Sequence, residues 1–323
     1  MHQPRLSLVA RSRDLENLIE KTKAYIRGAK SPATLRAYRS DFEDFTRFCR
    51  AHNLTFLPST PETVALYIAD RASTLASGTI ARRLTSITKA HQAAGCKDSP
   101  ASTHNFVVSE TLKGIRRAIG TAQHGKKPLL TVDIRRIVAH CPKSLRGTRD
   151  RAIILIGFAG AFRRSELAAI EVTDVSFCKD GLVIDLRSSK TDQEAKGRQV
   201  GIPFGEDAAT CPVRALRQWV KEAPIKLGHV FRAIDRHGNI ARRGLNRASV
   251  GWILKRAARR ARMKTGPLGG HSLRAGCITQ ASMNGVNEHD IMRQSGHKSA
   301  ETLAKYIRIG QMFTHNAATS LGI

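Results

Sequence analysis

Long hydrophobic runs are missing from this chain of 323 residues. Its longest unbroken apolar segment, 152–162, has eleven residues, whereas a membrane-spanning helix needs about 20. The first residues, MHQPRLSLVARSRD, are too polar to contain the apolar core of a signal peptide. We therefore expect a cytoplasmic protein with no membrane partner, and we interpret 152–162 as a buried core segment.

Closely spaced cysteines are also absent. The six cysteines are at least 33 residues apart, so no CxxC pair exists for zinc or redox chemistry. A disulfide framework is not expected in a chain of this size without a secretory signal. We interpret all six as reduced residues that mostly fill the core.

Acidic residues are scarce beside basic ones. The chain has 54 Lys and Arg against 26 Asp and Glu, a formal net charge of +28. The excess is shared, with 21 basic and 10 acidic residues up to residue 130 and 33 and 16 beyond it. A basic surface on both halves is typical of a protein that binds a polyanion, most simply nucleic acid. Charge alone does not separate DNA binding from non-specific binding to RNA or acidic membranes.

The first part of the chain has the pattern of a small helical domain. At roughly 100–200 residues per domain, the length predicts two domains. Apolar residues recur at steps of three and four after several helix start signals, which predicts a helical bundle over 31–119. Residues 1–30 are predicted to be a basic, flexible arm with at most one helix. The four predicted bundle helices begin near Pro32, Pro61, Ser77 and Val107.

The second part of the chain mixes helices with short strands. Residues 120–127 have two glycines and no apolar period, which indicates a linker before a domain over 128–323. β-prone runs flank the turn signal Asp180-Gly181, and 198–203 is a third candidate strand. Helices are expected from residue 212 to the end. The fold class is therefore mainly α with a small antiparallel β-sheet, as a helical N-terminal domain followed by an α+β domain.

Two basic residues of the second domain are candidates for phosphate chemistry. Arg163 lies at a turn before a helix that begins near Ser165, and a helix N-terminus is a good place for a phosphate. Glu166 is close enough in sequence to orient that guanidinium, although this segment taken alone favours a surface ion pair between the two residues. Lys190 lies in a loop between two predicted strands. There it could donate a proton to a leaving oxygen or simply be solvated.

A second group of candidates lies near the end of the chain. His271 and Arg274 are three residues apart, which places both on one side of a helical turn. Both could bind one phosphate, and His271 could act as an acid or base. His297 is followed nine residues later by Tyr306, in a predicted helix. A tyrosine with a pKa near 10 needs positive charge nearby to act as a nucleophile. A helix-terminal histidine, a surface arginine and a core tyrosine are the alternative interpretation.

Taken in order, these residues resemble the tyrosine recombinases, also called the phage integrase family. The family pattern is Arg, Lys, His-x-x-Arg, His or Trp, and Tyr, and the resemblance covers about 130–310. Glu166 matches the acidic residue that the family has three positions after its first arginine. The N-terminal bundle resembles the family's SAM-like core-binding domain. The matching segments are FRRSEL with Arg163, SSKTD with Lys190, HSLR with His271 and Arg274, SGHKS with His297, and KYIR with Tyr306.

The resemblance implies a role for each of these residues. DNA is held between the two domains, and Arg163 and Arg274 bind the scissile phosphate. His271 and His297 add hydrogen bonds, and His271 takes the tyrosine proton. Tyr306 attacks phosphorus and forms a 3′-phosphotyrosine bond.

The resemblance also implies partners and the absence of cofactors. Lys190 is the acid for the departing 5′-oxygen, and the chemistry needs no metal, ATP or other cofactor. Family members act as homotetramers on two DNA duplexes and exchange strands through a Holliday junction, which leaves room for accessory DNA-bending proteins. Segment 310–323 is expected to dock on a neighbouring protomer, and a frayed terminus or packing on its own domain is the alternative. The DNA-bound protein would be associated with the nucleoid.

Other basic residues are candidates for holding the DNA duplex. The predicted helix over 246–261 has one apolar face and one basic face, which favours a DNA-contacting helix over a merely solvated one. The predicted DNA contacts are Lys255, Arg256, Arg259 and Arg260 in this helix, and Arg82, Arg83 and Lys89 in the N-terminal bundle.

Three other functions compete with recombination. A type IB topoisomerase shares the tyrosine chemistry but acts as a monomer. A non-catalytic DNA-binding relative would be expected to lack Tyr306 or one arginine, and all are present. A metal-dependent transposase needs clustered carboxylates, and no convincing triad stands out among the 16 acidic residues beyond residue 130.

Overall fold

The computed structural model of the chain describes residues 13–96, 100, 105–122, 125–187, 197–310 and 321. The chain divides into two compact units, Met1–His124 and Gly125–Ile323. Across these described ranges, no helix is both long and apolar enough to cross a membrane.

The first unit is a bundle of helices, as the apolar periodicity predicts. A helix also forms within the segment predicted to be an arm. Side-chain caps explain several of the helix starts, since Ser31 Oγ accepts a hydrogen bond from Thr34 N at 3.2 Å and Thr60 Oγ1 accepts one from Thr63 N at 3.3 Å. The helices are α1 Arg13–Gly28, α2 Pro32–Ala51, α3 Pro61–Arg71, α4 Ser77–Ala93 and α5 Phe106–Ile119.

A buried histidine ties two parts of this bundle together. His91 in α4 is fully buried. Its Nδ1 donates to the carbonyl of Ile87 at 2.9 Å, and its Nε2 accepts from the backbone N–H of Ser59 at 3.0 Å. A ring that accepts through one nitrogen is neutral. Burial lowers the pKa of His91, which is consistent with this hydrogen bonding.

The second unit combines eight labelled helices with a three-stranded sheet. The strands are antiparallel in the order β1-β2-β3, and Ile184 pairs with Val175 on one side and Val200 on the other. The predicted small antiparallel sheet is therefore confirmed. These elements are α6 Thr131–Ala139, α7 Leu145–Ala159, α8 Arg164–Ala169, β1 Val175–Phe177, β2 Gly181–Leu186, β3 Arg198–Pro203, α9 Pro212–Glu222, α10 Arg247–Arg260, α11 His271–Met283, α12 Glu288–Ser295 and α13 Ala300–Gly310.

The expectation of helices alone from residue 212 onwards is wrong. A two-stranded antiparallel sheet, β4 Arg232–Ile234 and β5 Ile240–Gly244, lies between α9 and α10. Its turn is held by Asp235, whose Oδ1 accepts from the N–H groups of His237 at 2.8 Å and Asn239 at 2.9 Å. The strands are short and rich in arginine, so they lack the alternating apolar pattern that identifies a strand.

Helix α11 packs against α6, α7, α12 and α13, and its small residues allow close packing. A Cβ added to Gly276 would lie 1.9 Å from the carbonyl oxygen of Leu129. In α7, a Cβ on Gly157 would lie 2.8 Å from Leu167 and 2.9 Å from Leu273. The predicted core segment is buried throughout its first five residues, 152–156. This packing fixes the N-terminal end of α11, where the site residues begin.

The neutral state of His91 predicts that the first unit loses stability in acid. Because its folded pKa lies below the unfolded value of about 6.5, its contribution is complete above that pH and declines as the pH falls below it. We expect the free energy of amide exchange around Ser59, corrected for intrinsic rates, to decrease as the pH is lowered below 6.5. The decrease should be at most about 1.4 kcal/mol per pH unit.

The matched variants are His91→Gln, which cannot be protonated, and His52→Gln, which removes an exposed histidine at the end of α2. The acid dependence should shrink in His91→Gln and persist in His52→Gln. An unchanged acid dependence in His91→Gln would contradict the assignment.

Candidate active site

Tyr306 and His271 meet at the N-terminal end of α11. The Tyr306 hydroxyl lies 2.6 Å from His271 Nε2. The Tyr306 ring centroid is 6.1 Å from that of His271 and 6.3 Å from that of His297. The phenol therefore lies close to two imidazoles, and His271 is placed to accept its proton.

Packing of α13 holds the tyrosine in this place. Tyr306 is only 8% exposed and belongs to a small apolar cluster shared with α11 and α12. Leu303 and Ile307 on the same helix pack into that cluster. Lys305 is exposed, and its Nζ lies 5.0 Å from the centroid of the Tyr306 ring. The Lys305 ammonium group therefore lies close to the Tyr306 ring.

Arg274 is the buried cation of the site. It is 1% exposed, and its Nη1 donates to the carbonyls of Ala161 at 2.8 Å and Ser295 at 2.5 Å. Its Nη2 contacts the His297 ring, with Nε2 at 3.0 Å. Burial and then the charge of Arg163 lower the pKa of Arg274 to about 10, so the guanidinium remains charged at neutral pH.

His297 is presented by a tight turn at the end of α12. Gly296 has φ +67°, a left-handed conformation that favours glycine. His297 Nδ1 lies 2.7 Å from Ser295 Oγ, which donates to the carbonyl of Ile291 at 2.6 Å. Arg274 Nη2 also lies 3.3 Å from Nδ1, so Arg274 alone does not fix the tautomer. Because the Ser295 hydroxyl gives its hydrogen to Ile291, it accepts from Nδ1–H, which leaves Nε2 to accept from Arg274. Burial, and then Arg274, lower the pKa of His297 to about 3.

His271 is also held in its neutral form. Desolvation by the surrounding protein lowers its pKa, although the residue is partly exposed to solvent. Positive charges lower the pKa further, in the order Arg274, Lys305, Arg163 and Arg164. A neutral imidazole whose Nε2 faces a phenol is the arrangement that a general base requires.

Arg163 and Glu166 form the rim of the site where α8 begins. The backbone N–H of Arg163 donates to Glu166 Oε2 at 2.9 Å, and its Nη1 donates to Glu166 Oε1 at 2.6 Å. Glu166 is buried, so this ion pair is not the exposed type that the sequence left open. Glu166 thereby orients the Arg163 guanidinium.

The structure therefore brings most of the predicted site residues together. Arg163, His271, Arg274, His297 and Tyr306 converge on one region, whereas Lys190 lies outside the described residues. Three residues beside the site were not predicted from the sequence: Ser295, Lys305 and Arg198. No local signal distinguishes Arg198 from other arginines. Within the described ranges, no group of three or more His, Cys, Asp or Glu side chains is placed to bind a metal ion.

Several predicted DNA contacts are paired with carboxylates of the protein. Arg82 donates to both oxygens of Asp41 at 2.8 and 2.9 Å. Arg83 is paired with Asp44, which lies beside it in the same bundle. In the second unit, Arg256 donates to the buried Asp150 at 2.6 Å. Their guanidinium groups are thus held by carboxylates, which reduces their freedom to reach a phosphate.

The remaining candidates are freer. Lys89 is exposed, and among the described residues it bonds only to Gln92, at 2.8 Å. On α10, the part of the chain that the structure describes offers no ion-pair partner to Lys255, Arg259 or Arg260. Trp252, four residues before Arg256, is 72% exposed on the same helix. The exposed surface of α10 is therefore both basic and aromatic.

Comparisons with known proteins find relatives over most of the chain. Residues 128–311 match the phage integrase family, and residues 20–95 match the phage integrase N-terminal SAM-like domain. An integrase/recombinase XerD homologue of Selenomonas ruminantium is 38% identical over 309 residues, covering 95% of this chain and 91% of that protein. Tyrosine recombinase XerC of Myxococcus xanthus is 25% identical, covering 91% and 94%.

Solved structures show the same fold. The Tn1549 transposon integrase in complex with transposon right end DNA has a TM-score of 0.64 at 16% identity, covering 88% of this chain and 92% of that one. A lambda integrase dimer bound to a COC′ core site has a TM-score of 0.59 at 15% identity, covering 90% and 94%.

The hydrogen bonds of His297 predict an unusual titration. With a pKa of about 3, its ring should stay neutral from pH 8 to pH 5, whereas histidine in a peptide titrates near 6.5. Ring-nitrogen NMR of the DNA-free protein should show a persistent Nδ1–H form, assigned by its loss in His297→Asn. An imidazolium signal for His297 at pH 6 would contradict this structure of the site.

Proposed function

Since this chain belongs to the phage integrase family of tyrosine recombinases, we propose that it cuts and rejoins duplex DNA at specific sites through a 3′-phosphotyrosine bond. The observation that carries this proposal is the 2.6 Å contact between the Tyr306 hydroxyl and His271 Nε2, beside Arg274 and His297. A phenol beside a neutral base and a buried guanidinium supports attack on a phosphodiester.

In the proposed cleavage step, the Tyr306 oxygen bonds to phosphorus while its proton passes to His271 Nε2. The bond between phosphorus and the 5′-oxygen breaks, and its electron pair stays with that oxygen. Lys190 is the proposed donor of the proton that this oxygen takes up. Arg163 and Arg274 stabilise the charge that develops on the non-bridging oxygens.

The neutral ring of His297 has a specific consequence for phosphate binding. His297 Nε2 accepts a hydrogen bond from Arg274 Nη2 at 3.0 Å. An incoming phosphate would take over that donor, and its negative charge would raise the pKa of His297. We propose that the protonated ring then donates from Nε2 to the transition state.

Rejoining reverses this step. The 5′-hydroxyl of a partner strand attacks the phosphotyrosine bond, which conserves the energy of the phosphodiester, so the chemistry needs no ATP. Paired exchanges on two duplexes pass through a Holliday junction in a homotetramer, with or without accessory DNA-bending proteins. In this proposal, 31–119 is a core-binding domain, 120–127 a linker and 128–323 the catalytic domain. The proposal includes docking of 310–323 on a neighbouring protomer and an association of the DNA-bound protein with the nucleoid.

Covalent trapping tests the proposed nucleophile. Wild type and Tyr306→Phe are incubated in EDTA with a fragment library of the DNA that flanks the protein's own coding sequence, and then quenched with SDS. Captured DNA is sequenced. We expect adducts from wild type only, joined at a common position, because the variant lacks the attacking oxygen.

Two outcomes would contradict the proposal. Equal adducts from both proteins would exclude Tyr306 as the nucleophile, and a requirement for metal would exclude this chemistry. Strand transfer to a second duplex carrying the mapped position distinguishes a recombinase from a topoisomerase, which would relax supercoils without transfer.

The α10 surface supports a proposal about DNA contact. Lys255 and Arg259 have no carboxylate partner in the described chain, so each is free to displace a counterion from DNA. Replacing both with glutamine should reduce the salt slope of binding to a short duplex by about two. Fluorescence anisotropy across a salt series measures that slope.

A matched pair of exposed arginines controls for the loss of two charges. Arg187 and Arg293 already pair with Asp174 and Asp290, each at 2.8 Å, so their replacement by glutamine should change the slope less. If the control pair lowers the slope as much as the α10 pair, then α10 has no special part in binding.

A further inference from the structure

Arg198 reaches from the sheet to the end of the helix that presents His297. It is the first residue of β3, and its side chain is only 21% exposed. Its Nη1 donates to the carbonyl of Gln294 at 2.9 Å, and its Nη2 donates to that of Ser295 at 3.4 Å. Carbonyls at a helix C-terminus lack intrahelical donors and form the negative end of the helix dipole. A guanidinium therefore completes the end of α12.

The same helix end is bound from its other side. Arg274 Nη1 donates to the Ser295 carbonyl at 2.5 Å. Two arginines from different elements thus share one carbonyl just before the turn that carries His297. Arg198 also binds the Gln294 carbonyl, whereas Arg274 also binds the His297 ring.

The Arg198 guanidinium also packs against the turn itself. A Cβ added to Gly296 would lie 2.7 Å from Arg198 Nε and 2.9 Å from its Cζ. The left-handed φ of Gly296 and this close approach both require glycine there. The path of the chain into His297 is therefore shaped around the arginine.

The Glu166 carboxylate lies near Arg198. Its Oε2 lies 3.9 Å from Arg198 Nη2, while the same carboxylate binds Arg163. Because Glu166 is buried, its charge acts through little solvent. Arg198 is thus held between the carboxylate that orients one predicted catalytic residue and the turn that presents another.

We propose that Arg198 is a positioning residue that fixes the Gly296-His297 turn, and so sets where the His297 ring meets the reacting phosphate. Arg198 acts through His297 and not by touching the phosphate. This inference rests on the proposed function, because the position of His297 matters for catalysis only if the site cleaves DNA.

Single-turnover cleavage tests this role. The substrate is a duplex containing the cleavage position mapped by covalent trapping, at a saturating concentration. Arg198→Met keeps the length of the side chain but removes every donor, and we expect it to slow cleavage by about tenfold to 100-fold, as a misplaced group does. The affinity for the duplex should change little. Arg198→Lys, which keeps a charged donor, should recover part of the rate.

A double-mutant cycle shows whether the effect passes through His297. In a His297→Asn background, Arg198→Met should change the cleavage rate by no more than about twofold, since the group it positions is gone. Arg187→Met, an arginine at the end of the neighbouring strand β2, is the matched control and should leave the rate unchanged. An equal loss in both backgrounds, or no loss in either, would overturn the inference.

Histidine NMR provides a readout that does not depend on cleavage. In DNA-free protein, Arg198→Met should shift the ring signals of His297, whereas Arg198→Lys and Arg187→Met should preserve them. An unaltered His297 spectrum in a folded Arg198→Met variant would overturn the inference. If Arg198→Met does not fold, as judged by circular dichroism, Arg198→Gln replaces it and should show the same slowed cleavage and shifted His297 signals. Wild type without any adduct would instead overturn the proposed function, and the spectra would still decide whether Arg198 positions His297.

Discussion

Arg274 carries a positive charge inside the second unit, where a charge is costly unless hydrogen bonds satisfy it. It is 1% exposed, and its donors bind the carbonyls of Ala161 and Ser295 and the ring of His297. Those partners come from the turn after α7 and from the end of α12. The guanidinium that is expected to bind phosphate thus also joins the segments that carry its neighbours. The arrangement of these segments and the predicted binding of phosphate therefore both depend on the Arg274 guanidinium.

Burial, and then the cations around Arg274, lower the pKa of both histidines. Arg163, Arg274 and Lys305 each lower the pKa of His271 and of His297. A neutral His271 can accept the proton of Tyr306, and a neutral His297 can accept from Arg274. The same positive charge favours an incoming phosphate, which would in turn make a protonated His297 less costly. In the proposed function, a bound phosphate would therefore balance the positive charge of the site and favour protonation of His297.

Much of the scaffold follows from signals that lie close together in the sequence. Capping residues before Pro32 and Pro61, apolar steps of three and four, and the turn at Asp180-Gly181 predicted the bundle and the three-stranded sheet. Each of these signals acts over a few residues, where backbone geometry limits the outcomes. The β4–β5 hairpin was not predicted, because its arginine-rich strands have no alternation of apolar and polar residues.

The sequence by itself determined which residues are candidates for the site and in what order, since His271 and Arg274 lie one helical turn apart and the others occur in recognisable segments. Only the tertiary structure decided how those residues are partnered. Arg198 meets Gln294 across 96 positions, and Arg256 meets Asp150 across 106. Such pairs are set by how helices and strands pack, not by any spacing along the chain. For the same reason, a basic residue in the sequence did not reveal whether its charge faces solvent or an internal carboxylate.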